Sequence, residues 1–118
     1  MSSPTARTLG HVRKVWGGFA EVQETYDYYK KRRRDMLGFI DILALVPPYT
    51  IGIQATSGDN VAARVRKICE QRSYQAEVWL RCGLFIQVWG WKKYATPVDG
   101  KWWRPRVVDV CLEDLKRG

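Results

Sequence analysis

Histidine is almost missing from this chain, cysteine is sparse, acidic residues are outnumbered, and no long apolar run occurs. The one histidine, His11, stands beside Arg13 and Lys14 and reads as a surface residue, which argues against a histidine-dependent mechanism. Cys69, Cys82 and Cys111 are odd in number and widely spaced, which fits neither a disulfide framework nor a zinc site. They read as reduced, mostly buried small hydrophobes. No stretch approaches the roughly 18 uninterrupted apolar residues of a membrane span, so no membrane partner is expected. The opening segment MSSPTARTLG lacks the apolar core of a signal peptide, and a cytoplasmic location is expected.

What is present is a globular composition. The 118 residues suit a single domain, 1–118, with 46% apolar and 27% charged residues and six each of Trp and Tyr. Twenty Lys and Arg against twelve Asp and Glu leave a net charge of +8, which points to a polyanion partner bound through counterion release. A solvated basic surface is the plain alternative.

Apolar spacing predicts a basic amphipathic helix over residues 5–16, stopped by Gly17-Gly18, and a first strand over 19–26 (FAEVQETY). YYKKRRRD reads as a charged loop. Residues 38–46 (GFIDILALV) and 50–56 (TIGIQAT) read as strands, the first buried on both faces and ended by Pro47-Pro48. After a Ser57-Gly58-Asp59-Asn60 turn, with Asp59 or Asn60 as N-cap, come a helix over 61–71 and a short one over 75–82 closed by Gly83. LFIQVWGW and RVVDVCL read as strands joined by a turn around Pro97 to Gly100. This order predicts an α/β fold, a central mixed β-sheet flanked by helices.

Asp41 inside GFIDILAL is costly to bury unless it is paired, hydrogen-bonded or bound to a metal. Gln54 breaks the next apolar strand in the same way, and adjacent strands bring such positions close together. Together they offer two oxygens to a hard cation such as Mg²⁺.

GFIDILAL, a proline-marked turn and TIGIQATSGDNVAARVRKI together resemble the core of the PD-(D/E)XK nucleases, particularly Holliday junction resolvases of archaeal type and small phage or prokaryotic proteins like them. The likeness covers roughly residues 15–72. It implies a restriction-endonuclease-like core in which an Asp ends the second strand, an acidic-x-Lys triplet lies on the third and a helix follows. Carried over, Asp41 matches the metal-binding Asp, Gln54 takes the place of the second acid, and Thr56 takes the place of the catalytic Lys. A Gln carbonyl can still ligate a metal, whereas a Thr hydroxyl supplies no cation. Lys67 or Arg64, on the following helix, is the candidate to compensate. The family's extra Glu on the first helix has no counterpart here, which leaves Glu21 or, nearer the basic loop, Glu24, with Asp35 as a further candidate ligand. The alternative for each acid is an ion pair with neighbouring Arg and Lys.

Lys30, Lys31, Arg32, Arg33 and Arg34, preceded by Tyr26, Tyr28 and Tyr29, join the densest charge in the chain to rings that can stack on bases. Arg64, Arg66 and Lys67 extend the same expected phosphate-contacting surface. Trp89, Trp91, Trp102 and Trp103 read as core or dimer contacts. The resemblance implies metal-dependent phosphodiester hydrolysis on DNA, branched DNA included, with Mg²⁺ or Mn²⁺ as cofactor. It also implies a homodimer working in DNA recombination in a prokaryotic or phage-infected cell. RNA stays open as a partner. Thr56 favours a competing reading, a non-catalytic DNA- or RNA-binding module on the same fold. A third, a protein-interaction domain with incidental charge, predicts weak DNA binding with little salt dependence.

Overall fold

A computed structural model describes residues 3–23, 25–96 and 100–116. Ser3 caps the first helix, its hydroxyl accepting from the Ala6 N–H at 3.1 Å, and Pro4 follows where a missing N–H costs nothing. The helix, α1, spans Pro4–Lys14, and Gly17 then turns the chain with a φ of 68°. In chain order there follow β1 (Phe19–Val22), β2 (Thr25–Asp27), β3 (Arg32–Arg34), β4 (Ile42–Val46), β5 (Tyr49–Ser57), α2 (Val61–Gln71), α3 (Ser73–Arg81), β6 (Phe85–Thr96) and β7 (Gly100–Val110). A 3₁₀ turn, Gly58–Asn60, leads into α2.

The expected α/β architecture is observed: a five-stranded mixed sheet, ordered β1-β4-β5-β6-β7, lies between helices. β5 runs antiparallel to β4 and parallel to β6, and the outer strands β1 and β7 are antiparallel to their neighbours. The parallel pair needs a crossover, which α2 and α3 supply. Side chains alternate along each strand and so form two cores. Ala20, Ile42, Ala44, Ile51, Ile53, Trp89 and Trp91 meet Val12 of α1 on one face. On the other, Ile86, Val88 and Val110 meet Val61, Ile68 and Cys69 of α2 and Ala76 and Trp79 of α3. Gly90 is required here, because a Cβ would strike the Val61 side chain and come 3.1 Å from Gly58 Cα.

Several local expectations are corrected. The segment 38–46 is not one strand: Met36 and Ile40 exchange hydrogen bonds across a turn whose Leu37 and Gly38 have φ of 57° and 84°, so β4 begins only at Ile42. Its second face is also partly open, with Leu45 exposed. The segment 19–26 divides between β1 and β2, and the charged loop is a two-stranded hairpin in which Tyr26 faces Arg33 and Asp27 faces Arg32. Asn60 occupies the N-cap of α2 without capping it, its amide donating instead to Ser57 Oγ at 3.1 Å. Of the cysteines only Cys69 is buried; all three are free thiols. The turn expected around Pro97 falls outside the described residues except at Gly100, which begins β7.

His11 is half-buried rather than on the surface, its ring meeting Trp16, Trp89 and Trp91 edge-on at 6.1, 5.2 and 6.0 Å. Arg13, two residues on, points to the far side of the helix, and Lys14, although nearer to His11 in angle, is exposed, so neither charge reports the burial of His11. Beneath it, Trp91 Nε1 donates to buried Thr8 Oγ1 at 2.8 Å, and that hydroxyl donates to the Pro4 carbonyl at 2.8 Å. Thr8→Val keeps the shape but strands the indole N–H, and should lower stability by about 1–3 kcal/mol in urea unfolding. Burial lowers the His11 pKa below its ordinary 6.5. The unfolded chain therefore takes up that proton first, and stability should fall as pH drops below 6.5 toward the folded value. Urea midpoints between about pH 7.5 and 5 should show this slope, and His11→Gln should flatten it.

Candidate metal centre and nucleic-acid interface

Alternation along β5 decides which residues can meet. Ile51, Ile53 and Ala55 face α1, while Gly52, Gln54 and Thr56 face the α2–α3 side, where a Cβ on Gly52 would meet Ile40 and Trp79. The β4–β5 ladder begins with Ile42 opposite Ile53, and Asp41 stands one residue before it, bonded to the stretch of β5 from Ile53 to Ala55. The backbone fixes this junction from both sides: the Asp41 N–H donates to the Ile53 carbonyl at 2.9 Å, and the Gln23 N–H donates to the Asp41 carbonyl at 2.7 Å.

Asp41 is thus at the entry to β4, half-buried, rather than within an apolar strand. Its Oδ2 accepts from the Ala55 N–H at 3.0 Å, which ties the carboxylate to β5 between Gln54 and Thr56. Gln54 is only 2% exposed, and its Oε1 is buried with no hydrogen-bond partner among the described residues. Thr56 is buried as well, one step further along the same face. The Asp41 carboxylate is thus tied to the stretch of β5 that carries Gln54 and Thr56, and a carboxylate together with an orphaned carbonyl oxygen offers donors suited to a hard cation. Among the described residues, no cluster of three or more His, Cys, Asp or Glu side chains is arranged to hold a metal ion. Mg²⁺ does not require one, since it commonly keeps several waters and binds one or two carboxylates together with substrate phosphates.

The other candidates are more dispersed. On α2, Arg64 and Lys67 are half-buried and Arg66 is exposed. A helix advances about 100° per residue, so Arg64 borders the buried stripe of Val61, Val65 and Ile68, and Lys67 lies about 60° further round, away from the sheet. Glu24 lies outside the described residues. Glu21 is exposed and pairs with Leu43, two residues along from Asp41. Asp35 is half-buried in the turn before β4, its carbonyl accepting from the Gly38 N–H.

The basic run forms the tip and second strand of the β2–β3 hairpin, and all five side chains from Lys30 to Arg34 are exposed. Asp27 Oδ1 organises the tip by accepting from the Tyr29 and Lys30 N–H groups at 3.0 and 3.2 Å. The Lys30 N–H above all, with the Tyr29 N–H and the charges of Lys30 and Arg34, holds the Asp27 carboxyl below its usual range. Tyr28 and Tyr29 are 81% and 100% exposed, and Tyr26 packs edge-on to Tyr28 at 4.8 Å. The four tryptophans separate: Trp89 and Trp91 are core, as expected, whereas Trp102 and Trp103 are 45% and 41% exposed. β6 and β7 run on past the two cores, and α1 reaches this end through Arg7, whose guanidinium lies over the Trp103 ring.

Two apolar grooves of about 450 and 350 Å³ lie toward the starts of β5 and β6, lined by residues such as Leu84, Ile86 and Cys111 in one and Trp16, Tyr49 and Ile51 in the other. Neither includes Asp41, Gln54 or Thr56. No described helix is long and apolar enough to cross a membrane. Comparisons of the chain with protein-family models, curated proteins and solved structures give no match.

An unpartnered buried carbonyl is a cost to the fold. Gln54→Met, which keeps the volume and removes the orphan, should leave stability in EDTA unchanged or raise it by up to about 1–3 kcal/mol in urea unfolding. A loss of more than about 1 kcal/mol would mean that the fold depends on polar contacts of this amide.

Proposed function

We propose that this chain binds nucleic acid and hydrolyses its phosphodiester bonds, DNA being the favoured substrate, with a divalent cation held between Asp41 and Gln54. The observation that carries the reading is the buried, unpartnered Gln54 Oε1 on β5 next to Ala55, whose N–H holds the Asp41 carboxylate. Support for a restriction-endonuclease-like core comes from the order of parts: the Asp at the second strand of the sheet, Gln-x-Thr on the third, and a helix directly after it.

A bound Mg²⁺ or Mn²⁺ would lower the pKa of a coordinated water and neutralise charge on the phosphate. Asp41, fixed by the Ala55 N–H, holds its carboxylate at the junction of β4 and β5. Gln54 presents a carbonyl oxygen whose only competing donors have been excluded by burial. Thr56 offers a hydroxyl that can hold a water or a phosphate oxygen by a hydrogen bond. The β2–β3 hairpin, with its five cations and exposed tyrosines, supplies backbone attraction next to the segment that leads into Asp41.

One observation favours a second reading. Thr56 brings no positive charge to the place of the family lysine, so a binding module that no longer cuts has the same parts. The two separate in one experiment: labelled four-way junction, duplex and single-stranded DNA are incubated with the protein in Mg²⁺, Mn²⁺ or EDTA across a salt series. Asp41→Asn is the informative variant because its amide oxygen still accepts from Ala55. We expect metal-dependent cutting that EDTA and Asp41→Asn each abolish. Salt-sensitive binding without cutting in any metal overturns hydrolysis and leaves the binding module. Failure to bind any of the three sinks both.

A further inference from the structure

Beyond Trp91 and Pro105 the paired strands β6 and β7 form an arm on which every described side chain from Lys92 to Tyr94 and from Trp102 to Arg104 is exposed. Its two faces differ. On one, the Trp103 ring is covered by the Arg7 guanidinium of α1 at 3.7 Å, with Lys93 Nζ at 5.6 Å. On the other, Tyr94 and Trp102 are directly opposite each other, each 45% exposed, and Lys92, Arg104 and Arg106 continue the stripe toward the sheet. Arg104 leans over both rings, 4.8 Å from the Trp102 centroid and 5.8 Å from that of Tyr94.

A structural role accounts for part of this arrangement, since a cross-strand aromatic pair stiffens a hairpin. It does not account for the cations. Lys92 and Arg104 are directly opposite, a like-charge pairing that weakens a sheet, and Arg106 adds a third charge with no acidic residue on the same face of the two strands from Gly90 to Arg106 among those described. A polyanion relieves that repulsion. Lysine is disfavoured at protein–protein interfaces, and open rings flanked by cations form a platform on which unpaired bases stack. A duplex hides its base faces and can use only the charges.

We propose that this face of the β6–β7 arm is a second nucleic-acid contact, one that stacks bases of an unpaired strand on Tyr94 and Trp102 while Lys92, Arg104 and Arg106 meet its phosphates. The inference rests on the nucleic-acid reading above and adds strandedness to it: the arm selects single-stranded segments, such as those exposed at a branch or junction, whereas the β2–β3 hairpin also engages duplex backbone.

Fluorescence anisotropy with labelled oligo-dT, oligo-rU, an abasic strand of equal length and a duplex tests it. Trp102→Val and Tyr94→Thr keep β-branched residues in the strands and sit on opposite strands, so the second repeats the test if the first disturbs the arm. A Lys30→Gln, Lys31→Gln variant serves as the hairpin control. Each arm variant should bind oligo-dT or oligo-rU roughly five- to a hundredfold more weakly, with abasic-strand and duplex binding changed by less than about twofold. A loss confined to one of the two base-bearing strands also supports the proposal and names the sugar. Unchanged binding to both, or an equal loss on the abasic strand, overturns it while wild-type binding and the hairpin variant leave the broader reading standing. Absence of wild-type binding to every probe overturns both.

Discussion

The two unlike pairings of β5 govern the rest of this molecule. Its antiparallel partner β4 is reached through a tight proline turn, but its parallel partner β6 lies on the far side, and a parallel return requires the chain to cross the sheet. The crossover is α2 and α3, which cover one face, and α1 covers the other. A strand in that position is buried on both sides. That is why Gln54 and Thr56, which on an edge strand would be ordinary solvated residues, are sealed in, and why the carbonyl of Gln54 is buried without a hydrogen-bond partner among the described residues.

The fold carries local costs in several places, among them a buried Arg72 Nε without a partner among the described residues and the left-handed backbone of Leu37. Three more are the orphaned Gln54 carbonyl, the facing Lys92 and Arg104, and the exposed tyrosines of the β2–β3 hairpin. Elsewhere local preference and tertiary packing agree: Ser3 caps α1, Gly83 ends the segment after α3 with a φ of 81°, and the Thr8–Trp91 bond satisfies both of its polar groups inside the core. Departures from such agreement tend to fall at functional positions. Here the Gln54 carbonyl, the facing cations and the tyrosines favour the same chemistry, a hard cation at the first and the charges and rings of a nucleic acid at the other two.

Much of this could be read from the chain because it depends on short-range pattern. The α2 boundaries follow from a 3.6-residue stripe, and the end strands from alternation of apolar and polar residues. Asp41 and Gln54 stand out because each interrupts an apolar run, and the Asp41 carboxylate is held by the N–H of Ala55, the residue after Gln54. One error has an equally local cause. Leu37 and Gly38 adopt left-handed conformations that turn Met36 back onto Ile40, and a continuous apolar run hides such a turn. The burial of His11 is set by Trp16, Trp89 and Trp91, two of them far along the chain, and its charged neighbours Arg13 and Lys14 carry no sign of it.

The sequence by itself determined the α/β class, the positions of most helices and strands, and the residues able to supply oxygens or positive charge, since these depend on composition and on periodicities of 3.6 and 2. Only the tertiary structure decided what each of those residues meets. Burial of Gln54 depends on α2 and α3, which come later in the chain, closing over its face of β5. The separation of the tryptophans into core and arm depends on how far β6 and β7 run on past the two cores, and the apposition of Tyr94, Trp102 and Arg104 depends on one register. Contacts of that kind join residues distant along the chain, and no local pattern encodes the distance between them.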